Sequence, residues 1–515
     1  MTRNINTLLW LVFGVLAFRL GLTAILPFAD TTEPRYAEIA RIMAETGDWI
    51  TPWFDYNVPF WGKPPLSFWT QALAFKLLGV SEFAGRLPSW LANLAIVYLV
   101  FTARRYLHPE RNSEAAIAAG LWAALIYATT ALGFLTAGTV MTDSFLALGS
   151  TLTLVGLIVR LQGGPERWGW LFFAGLAIGL LAKGPLVLVL TGLPVLLWVA
   201  VTRNWLTLWR ALPWIRGTLL MLALAVPWYV LAELKTPGFL DYFLVGEHFK
   251  RFVVSSWQGD LYGNAHEFPR GTIWLYLVAA SFPWGLIALV LLARRLWLGQ
   301  SPRQEWQNNN AGIDGLVLAA MLSPALFFTL AGNILWTYVL PGLPFLAVLA
   351  SGLWPAPLTR MAHVGARLAV LLVPALGTAA GGWFALHPGQ LKTERELVAR
   401  VNQIPAMDAS DLFYLDQPPF SARFYSHGEA RGIDDESVVR LLDTGTLPQP
   451  MALAVEKGNA AMLDRLGDIA RPVAENRRYR LFLLTPTSAS TAVVPDESRK
   501  AGGIDYNSQT HGPLG

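Results

Sequence analysis

Asp30, Glu33, Arg35, Tyr36, Glu38 and Arg41 fall within twelve residues, and Lys63 follows ahead of Pro64-Pro65. Carboxylates directly after an apolar run, with a lysine on a rigid extended segment, can accept a proton and hold an anion at a membrane edge. More polar groups sit at the mouths of other apolar runs. Arg86 and Asp143 each begin one, and Lys183 lies in an Ala-Lys-Gly-Pro hairpin. Glu247, His248, Lys250 and Arg251 cluster ahead of His266, Glu267 and Arg270, while Asn333 and Tyr338 flank a later turn. Each also has a plain role available. Glu33 can support a helix N-terminus, Asp143 can cap its helix, and Lys63 and Lys183 can snorkel to lipid headgroups. His248 and His266 become metal ligands only if other ligands converge on them. The sequence holds no Walker loop, dinucleotide fingerprint, His-Glu-x-x-His motif or nucleophile elbow.

The elements that must position these groups follow from composition. Of 515 residues, 54% are hydrophobic and 14% charged, whereas a soluble domain carries roughly 25% charged residues. Mean hydropathy is +0.42, which excludes soluble, disordered and collagen-like classes. The apolar stretches are long rather than alternating, so the chain is read as an α-helical polytopic membrane protein. Its 22 Trp suit two membrane interfaces, and with no Cys it has no thiolate chemistry. Eleven spans are expected, near 7–28, 86–103, 115–134, 143–160, 168–182, 184–201, 216–232, 271–293, 314–331, 335–353 and 365–386, with thirteen as the alternative count. Residues 66–79 are too short to cross and read as an interfacial helix, and Tyr36, Ile39, Ala40 and Met43 give a second helix an apolar face for lying on the membrane.

Placing the N-terminus in the cytoplasm, with the first span an uncleaved anchor, puts Arg104, Arg105, Arg160, Arg203, Arg294 and Arg295 inside. The net charge of +4 thus reports topology, and no nucleic-acid partner is expected. The expected organisation is a membrane domain over 1–386, with outer loops at 29–85 and 233–270. A small extracytoplasmic α/β domain follows over 387–485, then a disordered tail over 486–515. The expected location is a bacterial-type inner membrane with the C-terminal domain in the periplasm.

Thr-Glu33-Pro-Arg35-Tyr36-Ala-Glu38, Gly47-Asp48-Trp49, Gly62-Lys63-Pro64-Pro65-Leu66 and Phe83-Ala-Gly-Arg86-Leu-Pro88 occur in that order. With Glu247-His248-Phe249-x-Arg251-Phe252 and Thr337-Tyr338-x-x-Pro341, the pattern resembles the polyprenyl-phosphate-sugar-dependent glycosyltransferases of the class C fold. The aminoarabinose transferases acting on lipid A and the protein mannosyltransferases are the relatives in view. The resemblance implies a sugar donor on a polyprenyl phosphate, a lipid, glycan or protein acceptor outside the cytoplasm, and inversion at the anomeric carbon. It implies Glu33 as the catalytic carboxylate, with Asp30 in reserve. Lys63, Lys183, Arg270 and Arg86 are then expected on the donor phosphate, and Arg35, Tyr36, Asp143, His248, His266 and Tyr338 around the substrates.

Three departures qualify the transfer of roles: Thr32 stands where relatives often carry Asp, Gly62 where lipid A-type relatives carry an acid, and Asn333 where they often carry lysine. The missing acid removes a ligand for the divalent metal such relatives can hold, so no metal or other cofactor is expected. A lipid-linked sugar flippase is the alternative from another class. It would need polar residues along a path through the bilayer, and here they gather at one face.

Overall fold

The structure is a computed structural model that describes residues 2–486, except 255–256, 264–267, 299–311, 354–359, 446, 448, 468 and 471. His266 and nearly all of the expected tail therefore lie outside the described residues. Each of the eleven expected apolar segments is helical. Six are long and apolar enough to cross a membrane: Ile5–Leu22, Glu82–Tyr106, Asp143–Leu161, Trp214–Lys235, Trp336–Leu353 and Val364–Leu386. A seventh crossing would be the pair Thr272–Ala280 and Trp284–Trp297, bent by 97° at its break. The shortfall against eleven lies in helices of 15–17 residues, such as Glu114–Ala128, Ile313–Phe328 and Leu186–Thr202. At about 1.5 Å per residue these reach roughly 25 Å, less than the roughly 30 Å hydrocarbon core.

The helix Leu66–Leu78 is one of two that frame the first loop. The other, Thr32–Thr46, has Pro34 in its first turn, where no amide donor is needed, and ends at Gly47, whose φ of 69° suits a residue without a Cβ. It does not lie on a lipid surface by one apolar face, as its pattern suggested. Every residue from Tyr36 to Met43 is buried, between Leu66–Leu78 on one side and the helix Phe420–Tyr425 of the C-terminal region on the other. Its polar side survives burial because Arg41 holds both Glu38 oxygens, at 2.7 and 2.8 Å. A short hairpin, β1 (Trp53–Asp55) with β2 (Val58–Pro59), carries the chain back toward Lys63.

After the last apolar helix the chain forms a five-stranded mixed sheet from β3 (Leu412–Leu415), β4 (Arg431–Ile433), β5 (Met451–Glu456), β6 (Pro472–Glu475) and β7 (Tyr479–Leu484). Their order is β4-β3-β5-β7-β6, with β3 parallel to both β4 and β5, and β7 antiparallel to β5 and β6. The sheet region is fastened to the first loop. Tyr425 Oη accepts from the Phe28 amide at 2.8 Å and donates to Glu82 at 2.9 Å, and Arg423 pairs with Asp55 at 2.9 Å. Asp30 is central to this seam. It accepts from the amide and hydroxyl of Ser421, at 2.8 and 2.7 Å, and pairs with Arg478, which also holds Glu394.

This corrects the expectation that Asp30 stands in reserve as a catalytic carboxylate: its side chain is 1% exposed and its oxygens are committed to the seam. Asp30→Asn is expected to lower stability by about 1.5–3 kcal/mol, the value of hydrogen bonds to a charged group. It should also speed proteolysis between the membrane helices and the sheet. Thermal unfolding and limited proteolysis read both effects, and wild-type behaviour in each would remove Asp30 from this role.

Candidate active site

Lys183 ends the helix Arg167–Lys183, and Gly184 reverses the chain with φ 72°. A Cβ at Gly184 would sit 2.6 Å from the Phe243 ring, so the hairpin can approach the next outer segment only with glycine there. Lys183 is nearly buried. Its Nζ lies 2.8 Å from Asp143 Oδ1, at the start of Asp143–Leu161, and 5.0 Å from the centre of the Tyr338 ring. The Tyr36 hydroxyl is also within its electrostatic reach. Asp143 and Tyr338, from two segments distant in sequence, thus meet the Lys183 ammonium group.

The facing wall is a π-helical segment, Asp241–Lys250. Such turns recur at functional sites because they re-aim side chains. Here Glu247 receives Lys63 at 3.1 Å and Arg251 at 3.0 Å to each oxygen, and Arg251 also reaches Asp260 at 3.3 Å. Burial raises the Glu247 carboxyl, but the charges of Lys63 and Arg251 outweigh this and hold it below the usual carboxylate range. Arg251 Nε is buried without a hydrogen-bond partner among the described residues, as is Asn333 Oδ1, whose Nδ2 donates to the Arg251 carbonyl at 2.7 Å. His248 joins the two clusters, with Nε2 2.9 Å from the Lys183 carbonyl oxygen and Nδ1 2.7 Å from that of Phe243.

Burial lowers the His248 pKa, and the two carbonyls offset this only in part. An unfolded histidine takes up its proton near pH 6.5, before the folded one does. Stability therefore falls as pH drops below about 6.5 toward the folded value. Glu247 adds nothing in that window, because its contribution is lost only as pH falls below the unfolded glutamate value of about 4.3. His248→Gln is expected to flatten the loss of thermal stability between pH 6.5 and 5.5. Equal slopes in the two proteins would place the acid sensitivity elsewhere.

Glu33 and Arg86 form a second, tighter unit. Arg86 Nε and Nη2 bind the two Glu33 oxygens at 2.9 and 2.8 Å, and its remaining donors reach the carbonyls of Thr23, Leu26 and Pro27. The Val140 amide also donates to Glu33 Oε1 at 2.9 Å. The expectation of Arg86 on the donor phosphate is corrected by this geometry, since its donors are already satisfied and its side chain is 5% exposed. Glu33 keeps little acceptor capacity for a substrate proton.

Other expected residues are placed as follows. Arg35 stacks 5.1 Å from the Tyr36 ring and donates to the Tyr262 carbonyl at 2.6 Å, so it braces the first loop against the second. Tyr36 is buried among Phe60 and Phe68. Arg270 is exposed, and among the described residues it makes no ion pair or hydrogen bond with the Lys63 or Lys183 clusters. Among the described residues no three His, Asp or Glu side chains converge as metal ligands. Gly62 supplies none, and a Cβ there would meet the Phe60 ring at 2.9 Å. Glu247, Arg251 and Asp260 were not among the expected site residues. The i,i+4 spacing of Glu247 and Arg251 was the signal available.

The dolichyl-phosphate-mannose-protein mannosyltransferase family matches residues 10–243, which include Glu33, Lys63, Asp143 and Lys183. The undecaprenyl phosphate-alpha-4-amino-4-deoxy-L-arabinose arabinosyl transferase of Edwardsiella ictaluri is 30% identical over 329 residues, 62% of this chain and 54% of that protein. The enzyme of the same name from Pectobacterium carotovorum is 31% identical over 373 residues, 69% of this chain and 61% of its own. The chain thus spans 54% and 61% of the length of these two curated relatives. The crystal structure of ArnT from Cupriavidus metallidurans bound to undecaprenyl phosphate superposes with a TM-score of 0.73 at 18% identity, covering 95% of this chain and 99% of that one. That likeness extends the shared fold beyond the matched segment. The chain is thus similar over residues 10–243 to that mannosyltransferase family and in sequence to the arabinosyl transferases, and it shares the fold of the ArnT structure.

Proposed function

We propose that the chain transfers a sugar from a polyprenyl-phosphate carrier, with inversion, to an acceptor on the extracytoplasmic face, and that the acceptor is lipid A or another envelope glycan. The observation that carries this reading is the convergence of Lys63, Lys183 and Arg251 at one end of an apolar bundle, with Arg251 Nε unpaired among the described residues. In the reaction the acceptor oxygen bonds to the anomeric carbon as the bond from that carbon to the phosphate oxygen breaks. The electron pair leaves on the phosphate, and fixed cations at that point stabilise the extra negative charge of the transition state more than the singly charged phosphodiester of the ground state. The greasy carrier keeps the phosphate at bilayer level, where these cations sit. The relatives' printed substrates and the undecaprenyl phosphate in the neighbouring structure support the same donor class.

A phosphate acceptor is supported by the engagement elsewhere of the two carboxylates expected as bases. Asp30 is committed to the C-terminal seam and Glu33 to Arg86. An acceptor that arrives ionised, as a phosphate does, needs no base; a sugar or protein hydroxyl does. The full proposal keeps eleven spans, the N-terminus inside and the sheet domain outside. Mass spectrometry of lipid A and envelope glycans from cells with and without the chain tests the acceptor. Loss of one sugar-sized increment from lipid A is the expected result. Loss from a glycoprotein would favour the reading suggested by the mannosyltransferase match, and unchanged spectra in both would overturn the assignment. Reporter fusions after Gly79 and Arg111 test the orientation, with the first expected outside and the second inside.

A further inference from the structure

Two of the cations proposed for the donor phosphate do not stand open. Lys63 Nζ donates to the Gly62 carbonyl and lies 3.1 Å from Glu247 Oε2, so two of its three donors are taken. Arg251 Nη1 has two hydrogens but three carboxylate oxygens around it: both of Glu247 at 3.0 Å and Oδ2 of Asp260 at 3.3 Å. A phosphate oxygen can reach that nitrogen only by taking the place of a carboxylate. Glu247 is 6% exposed, and it stays ionised despite burial because the charges of Lys63 and Arg251 outweigh that cost.

Bracing alone does not call for this arrangement. Arg251 already has a carboxylate partner in Asp260, and Lys63 already bonds the Gly62 carbonyl. Glu247 comes from 184 positions beyond Lys63 and sets one more carboxylate between the two cations, at the point where an anion is to bind. The lipids that must bind there differ in charge. A sugar donor is a phosphodiester with one negative charge, whereas the released carrier is a phosphate monoester with about 1.5–2 at pH 7. Cations without a resident anion would hold the released carrier more tightly than the donor, and turnover would wait on its departure.

We propose that Glu247 is a tethered competitor for the carrier phosphate, which frees Lys63 and Arg251 from the spent polyprenyl phosphate so that the next donor can enter. Given the donor class proposed above, Glu247 is a positioning residue that acts through these two cations.

The test uses the full chain in mild detergent at pH 8, offered undecaprenyl phosphate, its methyl ester as a singly charged stand-in for the donor, or undecaprenol, with retained lipid counted by native mass spectrometry. Glu247→Gln is expected to bind undecaprenyl phosphate about tenfold or more tightly than wild type, the scale of one charge-assisted hydrogen bond. The methyl ester should gain less, and undecaprenol nothing. Unchanged or weaker binding of undecaprenyl phosphate, or an equal change for all three lipids, would make Glu247 a brace and overturn the proposal. Should Glu247→Gln fail to fold, Glu247→Asp decides, since it keeps a carboxylate for Arg251 and shortens the reach to Lys63. The same order of gains at smaller size is expected there, and no gain for undecaprenyl phosphate would be decisive against the competitor role. If wild type and variant alike retain undecaprenyl phosphate no better than undecaprenol, the donor class itself is wrong, and the proposal falls with it.

Discussion

Lys183→Met is expected to reduce sugar transfer by a hundredfold or more, the range seen when one fixed donor to a developing anion is removed. The substitution also leaves Asp143, 2.8 Å from the ammonium and largely buried, without its partner. An orphaned buried charge destabilises by about 3–5 kcal/mol. The two effects separate in Lys183→Met/Asp143→Asn, where no charge is left behind. That chain should recover thermal stability while its transfer stays low. If transfer returns with stability, Lys183 serves only to balance Asp143, and the donor phosphate is held by Lys63 and Arg251 alone.

Glu33→Gln should cost about 3–5 kcal/mol of stability, because it leaves the Arg86 charge buried and uncompensated. This is well above the roughly 0.3–1 kcal/mol that a carboxylate gains at a helix N-terminus. In Glu33→Gln/Arg86→Met part of the loss should return. The recovery stays incomplete because the carbonyls of Thr23, Leu26 and Pro27 lose their donor. Transfer per folded molecule in the double variant is expected within about tenfold of wild type, since the geometry makes Glu33 a positioning group for the turn that carries Val140. A drop of a hundredfold or more in folded protein, the usual scale for a lost general base, would restore Glu33 to the chemistry.

Much of the helical layout could be read from apolar runs, because a segment that meets lipid on several sides must be apolar along its length. The exclusion of 66–79 from the spans followed from length, and the helix there ends after 13 residues. Lys63, Asp143, Lys183, His248 and Tyr338 are outer-face polar residues to which the family resemblance gives roles, and the structure places them in the two clusters that His248 joins. Partners were another matter. Glu33 and Arg86 are 53 positions apart, and Asp30 and Arg478 are 448 apart. No local periodicity links such pairs, so Asp30 and Arg86 were given the roles their types allow. Glu247 and Arg251 were visible as polar residues, but the π-helical winding that turns them toward Lys63 leaves no compositional trace. Burial of the Thr32–Thr46 helix from both sides was hidden too, because its second cover comes from Phe420–Tyr425, a region made only after all the apolar segments.

The seam between Asp30 and Arg478 sets an order of events during synthesis. Asp30 precedes its cation by 448 positions. At about 5–20 residues per second that interval is roughly 20–90 s. Throughout it the loop carrying Glu33 and Lys63 lacks the surface that covers one side of its helix, and Asp30 lacks its counter-charge. A ribosome that stops short of the last strand therefore releases a membrane protein whose helices are in place and whose first loop is not yet fixed. Completion of β7, rather than insertion of the helix Val364–Leu386, is the event that fixes the first loop of such a chain.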